Sequence, residues 1–228
     1  MSSDPLLVKS GPAYDQTGLV HRVYRPAGNG RHPTVVMLHG YLGNEDVMWI
    51  FGKAVPPPWL KLAPRGLERL AADSYSWSRI PQSGWPEMDD FATAVSALTG
   101  FIDALPDLYQ ADPKQIYLMG FSQGAALAWA AAFAQPRLTQ GIASLVGFMP
   151  ALPNGTAVDP QHWAGLPVFM ATGLNDETIP LKVARRSADA IRNLGAELAY
   201  HEYDTGHKLD AAGMHDLRHW WRRRLDDR

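Results

Sequence analysis

Cysteine is absent from the 228 residues of this chain. Its absence excludes disulfide bonds, thiolate metal sites and a cysteine nucleophile. Long apolar runs are lacking too, because no stretch approaches the roughly 18 apolar residues that a membrane-spanning helix needs. The N-terminus has no cationic segment followed by an apolar run, which is the pattern of a secretory signal. We therefore expect no membrane span, and we expect a cytoplasmic location.

The chain also lacks an excess of charge of either sign. Its formal net charge is −2, with 19% charged and 46% hydrophobic residues, which is typical of a globular protein with a substantial core. The one basic cluster, at 222–224, fits cations at a helix C-terminus better than a nucleic-acid surface. The composition predicts a single α/β domain over residues 1–228 and no nucleic-acid partner.

The most informative stretch is a serine turn at residues 120–124. An apolar run at 116–119 predicts a buried strand, the turn has the pattern G-x-S-x-G, and an Ala-rich segment at 125–134 predicts a helix. A strand, a tight turn and a helix in this order form a nucleophile elbow, in which Ser122 lies in the turn between the strand and the helix. The alternative is a glycine-rich turn with an incidental serine.

Strand-like and helix-like segments alternate along the rest of the chain. Strands are predicted at 6–9 and 18–24, as an antiparallel edge hairpin, and at 34–38, 59–63, 141–148, 167–172 and 197–203. Helices are predicted at 45–55, 91–105, 181–194 and 210–225, whereas 67–90 is irregular. This alternation predicts a mostly parallel sheet covered by helices on both faces.

Polar residues follow several of these strands. The turn at 39–45, then Ser122, Asp176 and His207, all come at carboxyl ends of predicted strands, where an α/β sheet places its ligand site. A serine nucleophile needs a histidine to take its proton and a carboxylate to orient that histidine. Ser, Asp, His is also the chain order of triads in α/β-hydrolases. The sequence therefore predicts Ser122, His207 and Asp176 as nucleophile, base and acid.

Each assignment has an alternative. Asp204 is the second candidate for the acid, but it shares a loop with His207, whereas Asp176 follows its own strand. His215 and His219 are spaced as a metal-binding pair on a helix, but without an H-E-x-x-H frame a solvated helix face is favoured. We expect neither a metal nor a cofactor.

Several blocks of the sequence resemble the phospholipase/carboxylesterase family of small α/β-hydrolases, which includes bacterial carboxylesterases and acyl-protein thioesterases. The blocks are 38–45 (LHGYLGNE), 63–66 (APRG), 75–77 (YSW), 120–126 (GFSQGAA), 147–150 (GFMP) and 203–207 (YDTGH). The resemblance implies an esterase or thioesterase with little lid and with the triad named above. It also implies an oxyanion hole formed by the amides of Gln123 and Tyr41. Leu42 stands where the family often has a small residue, so its amide is an alternative to that of Tyr41.

Large apolar side chains lie near these blocks. The candidates for the substrate pocket are Trp49, Tyr75, Trp77, Phe148 and Met149. A pocket walled by loops predicts a small ester substrate with a short to medium acyl chain. The alternatives are a ligand-binding module of the same fold, or an acyltransferase or lyase with little esterase turnover. The oligomeric state is left open between a monomer and a homodimer.

Overall fold

The computed structural model describes residues 4–79, 85–152 and 158–226. Its strands are β1 (Leu6–Val8), β2 (His21–Tyr24), β3 (His32–Leu38), β4 (Leu60–Pro64), β5 (Glu68–Ala71), β6 (Ser74–Ser76), β7 (Ala111–Phe121), β8 (Ile142–Leu145), β9 (Pro167–Gly173) and β10 (Glu197–Tyr203). Its α-helices are α1 (Pro12–Thr17), α2 (Trp49–Gly52), α3 (Ala92–Tyr109), α4 (Gln123–Ala134), α5 (Leu181–Asn193) and α6 (Ala211–Asp226).

Eight of the strands form one mixed sheet in the order β1-β2-β4-β3-β7-β8-β9-β10. From β4 to β10 every neighbouring pair is parallel, whereas β1 and β2 are antiparallel at the edge. The predicted α/β-hydrolase architecture and its N-terminal edge hairpin are therefore confirmed. β5 and β6 form a separate hairpin within the stretch predicted to be irregular, and residues 80–84 of that stretch lie outside the described residues.

The sheet has an apolar core on each face, and β3 contributes to both. Val36 and Leu38 face the core formed with α3, α4 and α5, whereas Val35 and Met37 face the core beneath α2 and α6. This alternation follows from the two-residue period of a strand. The helical segment Met88–Tyr109 is long and apolar enough to cross a membrane. Many of its apolar side chains are buried in the first core, so it serves as a core helix.

Several sequence predictions were wrong in detail. The strand predicted at 141–148 is limited to β8, because Val146 has φ 48°, outside the extended conformation of a strand. The loop of the edge hairpin contains α1, which starts with Pro12 at its first turn and ends at Gly18 in the left-handed conformation. The helix predicted at 45–55 shrinks to α2, because the Asn44 side chain accepts the backbone N–H of Asp46 and forms a turn instead. The helix α3 continues through Pro106 to Tyr109, whose ring is buried.

Candidate active site

The serine turn is held in a conformation that few residues tolerate. Ser122 has φ 53° and ψ −116°, between the end of β7 and the first residue of α4. A Cβ atom on Gly120 would lie 2.3 Å from the carbonyl oxygen of Gly124, and one on Gly124 would lie 2.1 Å from that of Leu38. The two glycines are therefore required by backbone contact, and the turn has the geometry of a nucleophile elbow.

Ser122 stands at one end of a chain of hydrogen bonds. Its Oγ lies 2.9 Å from Nε2 of His207, and Nδ1 of His207 lies 2.8 Å from Oδ2 of Asp176. With Nδ1 protonated, Nε2 accepts the serine hydroxyl proton. The other oxygen of Asp176 accepts the backbone N–H groups of Thr178 and Ile179 at 2.8 and 2.9 Å. The carboxylate is therefore fixed from both sides.

Burial divides the three side chains. Ser122 and Asp176 are buried, with 8% and 7% of their surfaces exposed, whereas a quarter of the His207 side chain is accessible. The ring of Phe121 contacts the His207 imidazole edge to face, with centroids 5.2 Å apart. The His207 imidazole is therefore partly accessible from solvent. The carboxylate of Asp204 is exposed and is used elsewhere: it accepts a hydrogen bond from the side-chain amide of Asn175 at 2.7 Å.

The turn after β3 lies beside this elbow. The N–H of Gly43 donates to the carbonyl of Gly40 at 3.0 Å and closes the turn. The amides of Tyr41 and Leu42 lie within the turn and are not used by this hydrogen bond. Leu42 has φ 65°, a left-handed conformation that favours glycine. This conformation accounts for a small residue at this position in the family blocks, and nothing in the structure explains why Leu42 stands there instead. The Gln123 amide is the first backbone donor of α4, at a position where a helix offers no carbonyl one turn earlier to accept it.

The buried His39 supports this turn from behind. Its Nδ1 lies 2.7 Å from the carbonyl of Gly40, and its Nε2 accepts the N–H of Gly66 at 2.8 Å. The neutral imidazole therefore has a donor and an acceptor role, both of them used. Burial lowers the pKa of His39 to about 4, so the ring is neutral near pH 7. Its role is structural, and its ring faces the indole of Trp77 at 4.9 Å.

An ion pair holds the other side of the turn, and the sequence pattern alone did not reveal it. Nε of Arg65 donates to Glu45 at 2.7 Å, and a second Arg65 nitrogen donates to the other Glu45 oxygen. Burial by itself would raise the pKa of Glu45, but the hydrogen bonds and charge of Arg65 prevail and hold that pKa below its usual value. Arg65 also donates to the Tyr75 hydroxyl at 3.1 Å.

The five pocket candidates divide into two groups. Phe148 and Met149 line a cleft of about 270 Å³ beside α5. Trp77 is buried, and its indole N–H donates to the carbonyl of His39. Tyr75 donates its backbone N–H to Gly43, and Trp49 donates its indole N–H to Glu45. These three aromatic residues brace the turn after β3.

Sequence reasoning also missed the role of the Gln123 side chain, which links the elbow to residues 76 and 77. Its carbonyl oxygen accepts the Trp77 backbone N–H at 3.1 Å, and its amide nitrogen donates to the Ser76 hydroxyl at 3.0 Å. The first residue of α4 thereby ties the elbow to β6. The sequence offered one signal for this contact: the blocks 75–77 and 120–126 each contain a polar residue, Ser76 and Gln123, among apolar neighbours.

Several further clefts are formed by described residues. One of about 290 Å³ lies against the turn after β3 and is walled by Tyr41, Leu42, Phe51 and Phe121. Another of about 510 Å³ lies between α3 and α4, and no member of the hydrogen-bonded triad is among its described lining residues. The described residues contain no group of three or more His, Asp or Glu side chains arranged to hold a metal ion.

Comparisons with known proteins identify the family and the fold of this chain. The family model described as Phospholipase/Carboxylesterase matches residues 21–223. The chain is 24% identical to the Bacillus subtilis (strain 168) protein MhqD over 188 residues, which is 82% of this chain and 92% of that protein. A crystal structure of the Bacillus cereus carboxylesterase superposes with a TM-score of 0.79 and 21% identity, over 92% of this chain and 97% of that one. A carboxylesterase from Mesorhizobium loti gives a TM-score of 0.81 and 19% identity, over 96% of this chain and 98% of that one.

Proposed function

Because the chain belongs to the phospholipase/carboxylesterase family, we propose that it hydrolyses carboxylic esters through an acyl-enzyme formed on Ser122. The observation that carries the proposal is the hydrogen-bond chain from Ser122 Oγ through His207 to Asp176. The names of the two superposed structures, both carboxylesterases, support the same class of substrate.

The first half of the reaction forms the acyl-enzyme. The Oγ of Ser122 attacks the ester carbonyl carbon while its proton passes to Nε2 of His207. The imidazolium is stabilised by Asp176, which also keeps the proton on Nδ1. The negative charge that develops on the carbonyl oxygen is bound by the amide of Gln123 and by that of Tyr41 or Leu42. His207 then protonates the leaving alcohol oxygen as the carbon–oxygen bond breaks.

The second half releases the acid. A water molecule gives its proton to His207 and attacks the acyl carbon, and His207 returns the proton to Ser122 as the serine ester breaks. The open face of His207 is suited to this exchange of alcohol for water. A thiol leaving group would follow the same route, so thioesters are included among the substrates to be tested.

The small clefts support a substrate of modest size. Volumes of about 270 and 290 Å³ lie just below the range of about 300–1,000 Å³ that is usual for ligand sites in proteins. Each methylene buried in an apolar cleft contributes about 0.8 kcal/mol, so kcat/KM should rise severalfold per methylene and then stop rising once the cleft is full. We propose short to medium acyl esters as substrates, without activation at a lipid interface.

A labelling and activity experiment tests the proposal. We expect a fluorophosphonate to modify Ser122, and Ser122→Ala to lower kcat for p-nitrophenyl esters by roughly 10³-fold or more. The ester series should run from acetate to palmitate, below and above micelle formation, with product analysis for acyl transfer. An adduct on another serine would move the nucleophile, and a maximum at palmitate or a jump at the interface would refute the size preference. Labelling without hydrolysis would favour a binding module or a transferase.

A further inference from the structure

The cleft beside α5 starts next to the nucleophile. Phe148, on its wall, follows Gly147, and a Cβ atom on Gly147 would lie 3.1 Å from the carbonyl oxygen of Ser122 and 2.4 Å from the Cβ of Ala125. Because consecutive Cα atoms are about 3.8 Å apart, the inner end of the cleft adjoins the elbow. A group bonded to the acyl carbon at Ser122 can therefore extend into it.

The opposite wall is one face of α5. Val183, Arg186, Ser187 and Ala190 line the cleft, at positions three, four and seven residues apart that lie on the same side of a helix. The helix starts shortly after the backbone segment that holds the Asp176 carboxylate. The α5 wall thus continues the loop that carries Asp176, and the Phe148 wall follows β8 and meets the elbow at Gly147, which fixes the position of the cleft relative to Ser122.

Most of the cleft surface is apolar or already hydrogen-bonded. Trp85 contacts Phe148 edge to face, with centroids 5.1 Å apart. The Ser187 hydroxyl donates to the carbonyl of Val183 at 3.0 Å and accepts the N–H of Met149 at 3.0 Å. The Ser187 hydroxyl proton is therefore already hydrogen-bonded within the protein and is not available to a ligand. A substrate in this cleft finds apolar walls for methylene groups.

Arg186 differs from the other arginines of its helix. Arg185 makes two hydrogen bonds of 2.8 Å to Glu202, and Arg192 pairs with Asp189 at 2.9 Å. Among the described residues, the exposed Arg186 has neither a hydrogen-bond nor an ion-pair partner. The two stretches outside the described residues that adjoin the cleft in sequence, 80–84 (IPQSG) and 153–157 (PNGTA), contain no acidic side chain. Within the part of the chain that the structure describes, the cleft thus combines apolar walls with a guanidinium that no carboxylate pairs.

We propose that Arg186 binds a carboxylate at the far end of the ester substrate, so that the enzyme prefers half-esters of dicarboxylic acids. The planar guanidinium matches a carboxylate with two parallel hydrogen bonds, and the apolar walls accommodate the chain between the two acid groups. A single cation suits a singly charged carboxylate. This inference rests on the proposed esterase function, and it adds the chemical class of substrate.

Matched ester pairs test the proposal. The monomethyl esters of linear dicarboxylic acids from succinate to suberate are compared with methyl esters of monocarboxylic acids of equal carbon number. We expect Arg186→Gln to lower kcat/KM for the best half-ester by at least about 10-fold and to leave the neutral partner unchanged. Arg186→Lys should recover part of the loss, because it restores the charge without the fork. Lys182→Gln removes an exposed cation from the same helix outside the cleft lining and should change neither substrate.

A binding measurement separates this inference from the esterase assignment. Titration calorimetry measures the affinity of each protein for adipate, with hexanoate as the ligand that lacks the second carboxylate. Adipate should bind the wild-type protein at least about 10-fold more tightly than the Arg186→Gln variant, whereas hexanoate should bind both proteins equally. Equal adipate affinity for the two proteins, or equal loss of turnover for charged and neutral esters, would overturn the proposal. Absence of all ester hydrolysis and of fluorophosphonate labelling would refute the esterase assignment instead, and adipate binding would still decide the role of Arg186.

Discussion

At the scale of single residues, the two aspartates near His207 have different surroundings. The carboxylate of Asp176 is buried, contacts Nδ1 of His207 and accepts two backbone N–H groups. The carboxylate of Asp204 is exposed and bonds to Asn175. A carboxylate can fix the histidine tautomer only by accepting the Nδ1 proton, so the geometry favours Asp176.

Replacing each aspartate by asparagine separates the two assignments. We expect Asp176→Asn to reduce kcat by about 10⁴-fold, because an amide that donates to Nδ1 stabilises the wrong imidazole tautomer. Asp204→Asn serves as the matched control and should retain most of the activity. Both variants are assayed with one p-nitrophenyl ester at one pH. The reverse ranking would assign the acid to Asp204.

At the scale of secondary-structure elements, the elbow depends on the close contact of β3, β7 and α4. The contact leaves no space for a side chain at Gly124, since a Cβ there would lie within 2.6 Å of the carbonyl oxygens of Leu38 and His39. Leu38 is the last residue of the central strand β3 and His39 follows it. Displacing these backbone atoms would therefore disturb the sheet. Gly100, in α3, has open space where its Cβ would be.

Alanine substitution at these two glycines should have opposite effects on stability. We expect Gly124→Ala to lower the free energy of unfolding by about 3 kcal/mol or more, through forced displacement of backbone. Gly100→Ala should raise it by roughly 0.5–1 kcal/mol, because alanine loses less conformational freedom in a helix. Urea unfolding monitored by circular dichroism measures both. A Gly124→Ala variant with wild-type stability would contradict the close backbone contact between Gly124 and Leu38.

At the scale of the whole molecule, buried polar groups link stability to pH. Burial lowers the pKa of His39 to about 4, and that of His21 is lowered by burial as well. In the unfolded chain a histidine has its ordinary pKa of about 6.5. Between these values the unfolded state binds a proton that the folded state excludes, so acid favours unfolding. The stabilisation from neutral His39 is complete above pH 6.5 and is lost as the pH falls to about 4.

The His39 contribution can be measured as a slope. A displacement from 6.5 to about 4 corresponds to about 3 kcal/mol of unfolding free energy lost across this range. We expect the decline between pH 7 and pH 4 to be smaller by about that amount in His39→Gln than in the wild-type protein. His219→Gln, at an exposed site on α6, is the control and should follow the wild-type curve. Urea unfolding at several pH values provides the data, and identical slopes for all three proteins would contradict this account.

The sequence by itself determined the sheet, the serine turn and the chain order of the candidate triad. These features are local: apolar runs predict buried strands, and a serine between two glycines at a strand end predicts an elbow. β9 and β10 were predicted to within one residue, because their apolar and alternating patterns are bounded by turn residues. The family blocks added the turn after β3 as the candidate oxyanion hole, and the residues that support this turn lie far apart in the chain.

Only the tertiary structure decided the roles that depend on contacts between distant segments. It showed that Trp77 and Tyr75 brace the turn after β3 while Phe148 lines a cleft, a division that hydrophobicity alone does not reveal. It joined Glu45 to Arg65 across 20 residues and left Arg186 without a partner among the described residues, although it is adjacent to the paired Arg185. The physical reason is that a side chain's energy depends on the neighbours that folding brings to it, and sequence periodicity specifies only the face on which it lies.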